Sequence, residues 1–231
     1  MIVYGRRVIY EMLRSGFKPK VIYLQKGAKF EDKLLEMIAG LNAVMVSQKE
    51  INSLTSTRDH QGIAADIGEF ITYDRKEIIN ESIRRNKPVL VLDHLQDVRN
   101  VGALIRSAEA FGFVGVVISS HKAAPITPTV VKTSAGAIFH IKVSIYNTSR
   151  FIREYKRAGG WSIALDLDGM DIKKVKKVKP FALVVGSEGE GVSEIIKKQA
   201  DIVVKIPMVG NIESLNASVA GGIAMFFLSM L

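Results

Sequence analysis

Two rhythms of apolar and polar positions divide the chain. Residues 88–231 alternate short, mostly apolar runs with amphipathic segments. The runs are Val89–Asp93, Val114–Ser119, Ala137–Val143, Ile163–Leu167, Phe181–Val185 and Ile202–Ile206. Between most of them lie stretches with helical spacing: Asn100–Phe111, Pro128–Ser134, Thr148–Ala158 and Val192–Gln199. Strands that are apolar on both faces and alternate with helices predict a parallel sheet covered on each side, an α/β domain. Ligands of such sheets bind at the carboxyl ends of the strands, so the residues just after each run are where chemistry is expected.

Residues 1–69 predict a smaller α/β unit. Val8, Ile9, Met12 and Leu13 share one face of a helix over Gly5–Arg14, closed by Gly16 and Pro19. Strands are expected at Val21–Leu24, Val44–Val46 and Gly62–Ile67, with helices at Phe30–Ala39 and Gln48–Leu54. Residues 70–87 are polar and amphipathic, and are expected to be a partly helical linker. The last 26 residues, IPMVGNIESLNASVAGGIAMFFLSML, begin as a loop of small polar groups and end as an uncharged apolar run. Such a run must be buried, in the chain's own core or against a partner. It predicts a site-building loop anchored by a helix, with Ser214 at the junction as a candidate cap.

Composition narrows the picture. The formal net charge is +9, 48% of residues are hydrophobic and there is no cysteine. Disulfides, thiolate zinc sites and cysteine nucleophiles are excluded together, which fits a reducing cytoplasm. The first residues lack the long apolar core of a signal peptide. The uncharged run from Ser214 is 18 residues long and carries Ser214, Asn216, Ser218, Gly221, Gly222 and Ser229, which argues against a membrane span. The basic balance suggests a polyanionic partner, most often nucleic acid. Arg6, Arg7 and Arg14, near Lys18 and Lys20, are either a solvated helix face or an RNA contact. The run Lys173–Lys179, KKVKKVK, is a surface turn or another phosphate contact.

Three strand ends carry unusual residues. GSEGEGVS, residues 186–193, places Gly186, Gly189 and Gly191 between a strand and a helix, where the backbone can approach a ligand closely or simply turn. It is neither the dinucleotide fingerprint nor a P-loop, because Val192 stands where the phosphate-binding lysine belongs. Glu188 and Glu190 also disfavour a triphosphate there. In the segment after Val89–Asp93, Asn100 is a candidate helix cap. Arg106 sits among Ala103, Leu104, Ile105 and Ala108 and needs an anionic partner, either Glu109 or Asp97 or a phosphate. After Ile202–Ile206, the polar residues Asn211, Ser214 and Asn216 crowd beside the apolar run and suggest a pocket.

LDHLQDVRNVGALIRSAEAFG (92–112), LVVGSEGEGVS (183–193) and IPMVGNIESLNASVAGGI (206–223) resemble, in order and spacing, the three signature motifs of the SpoU (TrmH) family of RNA ribose 2′-O-methyltransferases. KTSAGAIFH (132–140) resembles a further segment of that family. Residues 1–69, with YGRRVIYEML and HQGIAADIGEF, resemble its small L30e-like RNA-binding domain. The layout looks most like the members that act on a guanosine of 23S ribosomal RNA. Val98 departs from the family's usual proline.

The resemblance implies an RNA-binding domain over 1–69, a linker over 70–87 and, over 88–231, a catalytic domain with a deep trefoil knot at its C-terminal end. It implies S-adenosylmethionine as cofactor, no metal, and a homodimer through the knot region. Carried over by motif, Gly186, Ile206 and Leu215 contact the cofactor, with Met208, Ala217 and Thr133, Ser134, Ala135 and Gly136 nearby. Asn100, Arg106, Glu188, Ser214 and Asn216 fall on catalytic or substrate positions. Arginine stays protonated, so Arg106 is expected to grip the target phosphate rather than to act as a base itself. Transfer RNA as substrate, or a non-catalytic role in ribosome assembly, are the competing readings.

Overall fold

A computed structural model describes residues 1–231. The small N-terminal unit runs β1 (Ile2–Tyr4), α1 (Arg6–Arg14), β2 (Val21–Gln25), α2 (Asp32–Ile38), β3 (Ala43–Val46), α3 (Gln48–Thr55) and β4 (Ile63–Asp66), with sheet order β1-β4-β2-β3. β1 is absent from the sequence reading because three residues abutting a helical pattern give no period to detect. It pairs antiparallel with β4, Val3 against Ala65. The start of α3 is fixed by a capping box, in which Ser47 and Glu50 satisfy each other's backbone N–H.

α4 (Arg75–Arg85) falls within the expected linker. It is no spacer: Ile78 and Ile79 are buried with Val89, Val91 and Val114, so the helix covers one face of the large sheet. The large unit continues with β5 (Val89–Leu92), α5 (Val98–Ala110), β6 (Gly115–Ser119), α6 (Pro128–Thr133), β7 (Lys142–Tyr146), α7 (Thr148–Arg157), β8 (Trp161–Asp171), β9 (Phe181–Val185), α8 (Glu194–Gln199), β10 (Ile202–Lys205) and α9 (Ala217–Ser229). Its six strands are all parallel, in the order β10-β8-β9-β5-β6-β7. The parallel α/β sheet read from the apolar runs is present.

Two expectations change. Ala137–Val143 is not one strand: Gly136 at φ 85 leads into a short 3-10 turn over Ala137–Phe139, and β7 begins at Lys142. A short buried apolar run does not distinguish a strand from a turn of helix. β8 is longer than its apolar run, because its end overhangs β9 and pairs only with β10. There Gly169 meets the backbone of Val204 so closely that a Cβ would lie 2.4 Å from the Val204 carbonyl carbon. The overhang becomes one wall of the site.

The two units pack against each other. One continuous core holds Val3, Val8 and Ile9 together with Leu92, Leu104 and Val131. Phe139 lies 5.5 Å from Phe17, ring to ring, and His140 Nε2 is 2.9 Å from Glu11 Oε2. Lys132 Nζ donates to the Asp59 carbonyl at 3.1 Å. α9 packs on α5 but leaves Val219, Ile223, Phe226 and Met230, at helical spacing, between 41% and 74% exposed. No helix is long and apolar enough to cross a membrane.

Candidate active site

The loops that leave the carboxyl ends of β5, β8, β9 and β10 converge, as the topology requires. Asp97 caps α5 by accepting from the N–H groups of Arg99, at 2.6 Å, and Asn100. That cap sets Asn100 in the first turn, where its side chain is 7% exposed and turned toward the β9 loop. The β9 loop closes on itself through Ser187 and Gly191, which exchange backbone hydrogen bonds of 3.1 and 3.0 Å. Gly186 must be glycine here, since a Cβ would lie 2.0 Å from the Gly191 carbonyl oxygen. The closed loop presents Glu188.

Three motif residues meet at Glu188. Its Oε1 accepts from the side-chain amide of Asn100 and, at 2.7 Å, from Asn216 Nδ2. Asn216 Nδ2 also lies 3.2 Å from Asn100 Oδ1. The other end of Asn216 caps α9, its Oδ1 accepting from Ser218 N–H at 2.9 Å and from Val219 N–H. Asn216, rather than Ser214, is therefore the junction between loop and helix. This clasp joins the loops after β5, β9 and β10 into one wall.

A cavity lies on each side of the wall. The first, about 300 Å³, is lined by Gly186, Ile206, Met208, Ser214, Leu215 and Ala217, together with Leu165–Asp168 of the β8 overhang. Asp166 Oδ2 accepts from Val192 N–H at 3.3 Å and braces the β9 loop from below. Lys197 Nζ is 2.5 Å from Glu194 and 3.7 Å from both Asp166 and Asp168. The hydrogen bond to Glu194, then these neighbouring acids, raises the Lys197 pKa. The second cavity, about 510 Å³, is lined by His94, Gln96, Asp97, Asn100 and Lys122 and shares Ser187–Glu190 with the first. Asp93, fully buried at the end of β5, accepts from Thr148 Oγ1 at 2.8 Å and from Ser193 N–H at 3.0 Å, tying the β5 and β9 loops to α7.

Several expected site residues lie elsewhere. Thr133, Ser134, Ala135 and Gly136 line neither cavity. Thr133 Oγ1 bonds the Thr129 carbonyl, Ser134 Oγ bonds the Val131 carbonyl, and Gly136 packs on Val8 and Glu11. Within one chain, that segment docks the small unit. Arg106 is exposed on α5, borders neither cavity and pairs with neither Glu109 nor Asp97. Arg6 lines a separate surface pocket with Gln25 and Gln61, its Nε donating to the Gln61 carbonyl at 3.1 Å and its guanidinium over the Phe30 ring at 5.3 Å. Arg7 and Arg14 both pair with Glu11, at 2.6 and 3.5 Å, and stay 69% and 62% exposed at their side chains. Lys173, Lys174, Lys176 and Lys177 are exposed, while Val175 between them is buried.

The sequence reading missed Asp93, His94, Lys122, Asp166 and Lys197. Asp93 was legible as the polar residue ending an apolar run, and Asp166 as the one acid within another. His94, Lys122 and Lys197 carry no signal without the loop geometry.

The parallel sheet and the site at its strand ends define an α/β ligand-binding architecture, and comparison with known proteins names the family. Residues 87–226 match the SpoU rRNA Methylase family, and residues 2–72 match the RNA 2′-O ribose methyltransferase substrate-binding domain. The chain belongs to the SpoU/TrmH family of RNA methyltransferases. A putative TrmH family tRNA/rRNA methyltransferase of Bacillus subtilis is 33% identical over 232 residues, covering 97% of this chain and 93% of that protein. Among solved structures, the AdoMet-bound rRNA methyltransferase from Sinorhizobium meliloti superposes with a TM-score of 0.82 at 23% identity, over 99% of this chain and 86% of that one. The A. aeolicus TrmH/SpoU tRNA modifying enzyme gives a TM-score of 0.56 at 25% identity, over 66% of this chain and 83% of that one.

Proposed function

We propose that this protein transfers a methyl group from S-adenosylmethionine to a ribose 2′-hydroxyl of RNA, and that the substrate is a guanosine of 23S ribosomal RNA in the cytoplasm. The observation that carries the reading is the clasp of Asn100, Glu188 and Asn216, which stands between an apolar, acid-lined cavity and a polar one.

The first cavity fits the cofactor. Leu165, Leu167, Ile206, Met208 and Leu215 offer apolar faces to a flat ring, and Asp166, Asp168 and Glu190 suit a ligand bearing ammonium and sulfonium charges. The bare backbone at Gly186 allows close approach. Gly186, Ile206, Met208, Leu215 and Ala217 would hold it. When bound, S-adenosylmethionine supplies an electrophilic methyl group on a positively charged sulfur that departs as a neutral thioether.

The chain's own residues orient and desolvate. Glu188 fixes both asparagine amides, so the wall facing the hydroxyl is rigid before the substrate arrives. Ser214, on the rim of the first cavity, and Asn100, on that of the second, are the groups to bind the reacting ribose. Arg106, free of carboxylate partners, grips a phosphate of the substrate. That phosphate relays the hydroxyl proton, since the guanidinium stays charged.

Support for ribosomal over transfer RNA comes from the small domain, read here as L30e-like. The similarity to the rRNA methyltransferase extends over 99% of the chain, whereas that to the tRNA modifying enzyme extends over 66%. We further infer that the return of the chain from edge strand β10 to α9 threads a deep trefoil knot, and that the exposed stripe Val219, Ile223, Phe226 and Met230 meets the same stripe of a second copy. The test of the substrate is a map of 2′-O-methyl sites in RNA from cells lacking this protein. Loss of one guanosine methyl in 23S RNA is the expected result. If every ribosomal site persists and a transfer-RNA site vanishes, the substrate assignment is wrong.

A further inference from the structure

The second cavity differs in chemistry from the first. Leu95 is its one apolar lining residue. At about 510 Å³ it falls in the size range of small-molecule sites, and its polarity suits a sugar phosphate.

Its cationic side is built by two adjacent loops. His94 follows β5 and Lys122 follows β6, and the Ala124 N–H donates to the Leu95 carbonyl at 2.8 Å, fastening one loop to the other. The Lys122 loop is further fixed by Ser119 Oγ, which donates to the His121 carbonyl at 2.9 Å. Both residues hold a left-handed backbone, φ 56 at His94 and φ 49 at Lys122. Non-glycine residues seldom adopt it, and such conformations gather at functional sites. His94 Nδ1 lies 3.0 Å from Oδ1 of the buried Asp93, which makes Nδ1 the donor and leaves Nε2 without a partner in the chain. Lys122 is exposed and makes no ion pair. Of the acids opposite, Asp97 caps α5 and Glu188 holds the clasp, while the Glu190 carboxylate has no partner. The cavity therefore has a free cation on one side and the wall shared with the first cavity on the other.

We propose that this cavity seats the target nucleotide, with Lys122 taking its phosphate and His94 Nε2 hydrogen-bonding its ribose or base. The inference rests on the methyl-transfer reading and goes past it, naming as positioning residues Lys122, outside the family motifs, and His94, within the first of them. A ribose so placed presents its 2′-hydroxyl across the Glu188 wall.

Two measurements test it on the full chain. The first is binding of a fluorescein-labelled single-stranded oligoribonucleotide over a range of salt. Each phosphate that a protein neutralises on a single strand adds about 0.7 to the log–log salt slope. Lys122→Ala is expected to lower the slope by that amount, and Lys122→Arg to restore it. The second is methylation of 23S RNA transcribed in vitro. Lys122→Ala and His94→Ala are each expected to raise KM for RNA about tenfold, the usual effect of deleting one hydrogen bond of this kind. The S-adenosylmethionine Kd by calorimetry stays at the wild-type value. Unchanged slope and unchanged KM in Lys122→Ala overturn the assignment. A wild-type protein that binds the oligonucleotide with a Lys122-dependent slope yet methylates no RNA sinks the methyl-transfer reading and leaves the nucleotide site standing.

Discussion

Asn216 Nδ2 donates to Glu188 Oε1 at 2.7 Å, while Oδ1 of the same side chain caps α9. One residue thus links the anchoring helix to the wall of the site. Asn216→Ala removes both interactions. The cap is worth about 1 kcal/mol of stability. The charge-assisted bond to Glu188 is worth about 1.5–3 kcal/mol, so methyl transfer is expected to fall roughly 10- to 100-fold. Asn216→Asp separates the two effects. It keeps an oxygen to cap α9 but sets two carboxylates against each other, so thermal stability is expected to hold better than in the alanine variant while turnover falls at least as far. Equal turnover in Asn216→Asp and wild type would show that the clasp does not matter to the reaction.

Gly186 and Gly189 make a paired test of the β9 loop. A Cβ on Gly186 collides with the Gly191 backbone, whereas nothing lies within 4 Å of one on Gly189. Gly186→Ala is expected to abolish S-adenosylmethionine binding in calorimetry, and Gly189→Ala to leave it within about twofold of wild type, as for a surface change that disturbs no packing. If both bind alike, the closed loop is not part of the cofactor site.

His60 makes the small domain sensitive to acid. It is 3% exposed; its Nδ1 accepts from Gly62 N–H at 3.0 Å and its Nε2 lies 2.7 Å from Asn52 Oδ1. Burial, then the charge of Lys132, lowers its pKa from 6.5. The unfolded chain therefore takes up this proton first as the pH falls. The stability contributed by the neutral ring is present above pH 6.5 and is lost as the pH drops through the lower, folded-state value. Thermal unfolding between pH 7.5 and 5 checks it, taken as about a unit either side of the ordinary histidine range. The wild type is expected to lose more Tm over that interval than His60→Gln does.

The exposed stripe on α9 is the face we propose for a second copy. Phe226 is 54% exposed at its centre and lies 5.8 Å from the Phe111 ring. Sedimentation at micromolar concentration is expected to give a dimer for the wild type and a monomer for Phe226→Glu, because the change places a charge in an apolar contact. A wild-type monomer would contradict the assignment of this face.

Much of the large sheet was legible because its strands are apolar on both faces, Phe181–Val185 most plainly, and because Gly, Pro and Asn punctuate their ends. The candidate site was legible as motif residues, but their distances were not. Nothing in a linear pattern brings Asn100, Glu188 and Asn216 to one carboxylate oxygen, since that depends on which strands lie side by side. A segment of small residues such as Thr133–Gly136 serves equally for close approach to a ligand or to another domain, and within the chain Gly136 meets Glu11. Charge in a sequence does not reveal its neighbours, which for Arg6 are the Gln61 carbonyl and the Phe30 ring. The helix expected within 70–87 is present as α4, but its packing was not legible, because it is polar over most of its surface and buries only Ile78, Ile79 and Ser82.

The most direct measurement is nucleoside mass spectrometry. Unmodified 23S RNA is incubated with the protein and S-adenosylmethionine carrying a deuterated methyl group, then digested to nucleosides. The expected product is 2′-O-methylguanosine bearing the labelled methyl, strongly reduced with Asn216→Asp. Label on a base, or no label in any nucleoside, would contradict ribose methylation by this site.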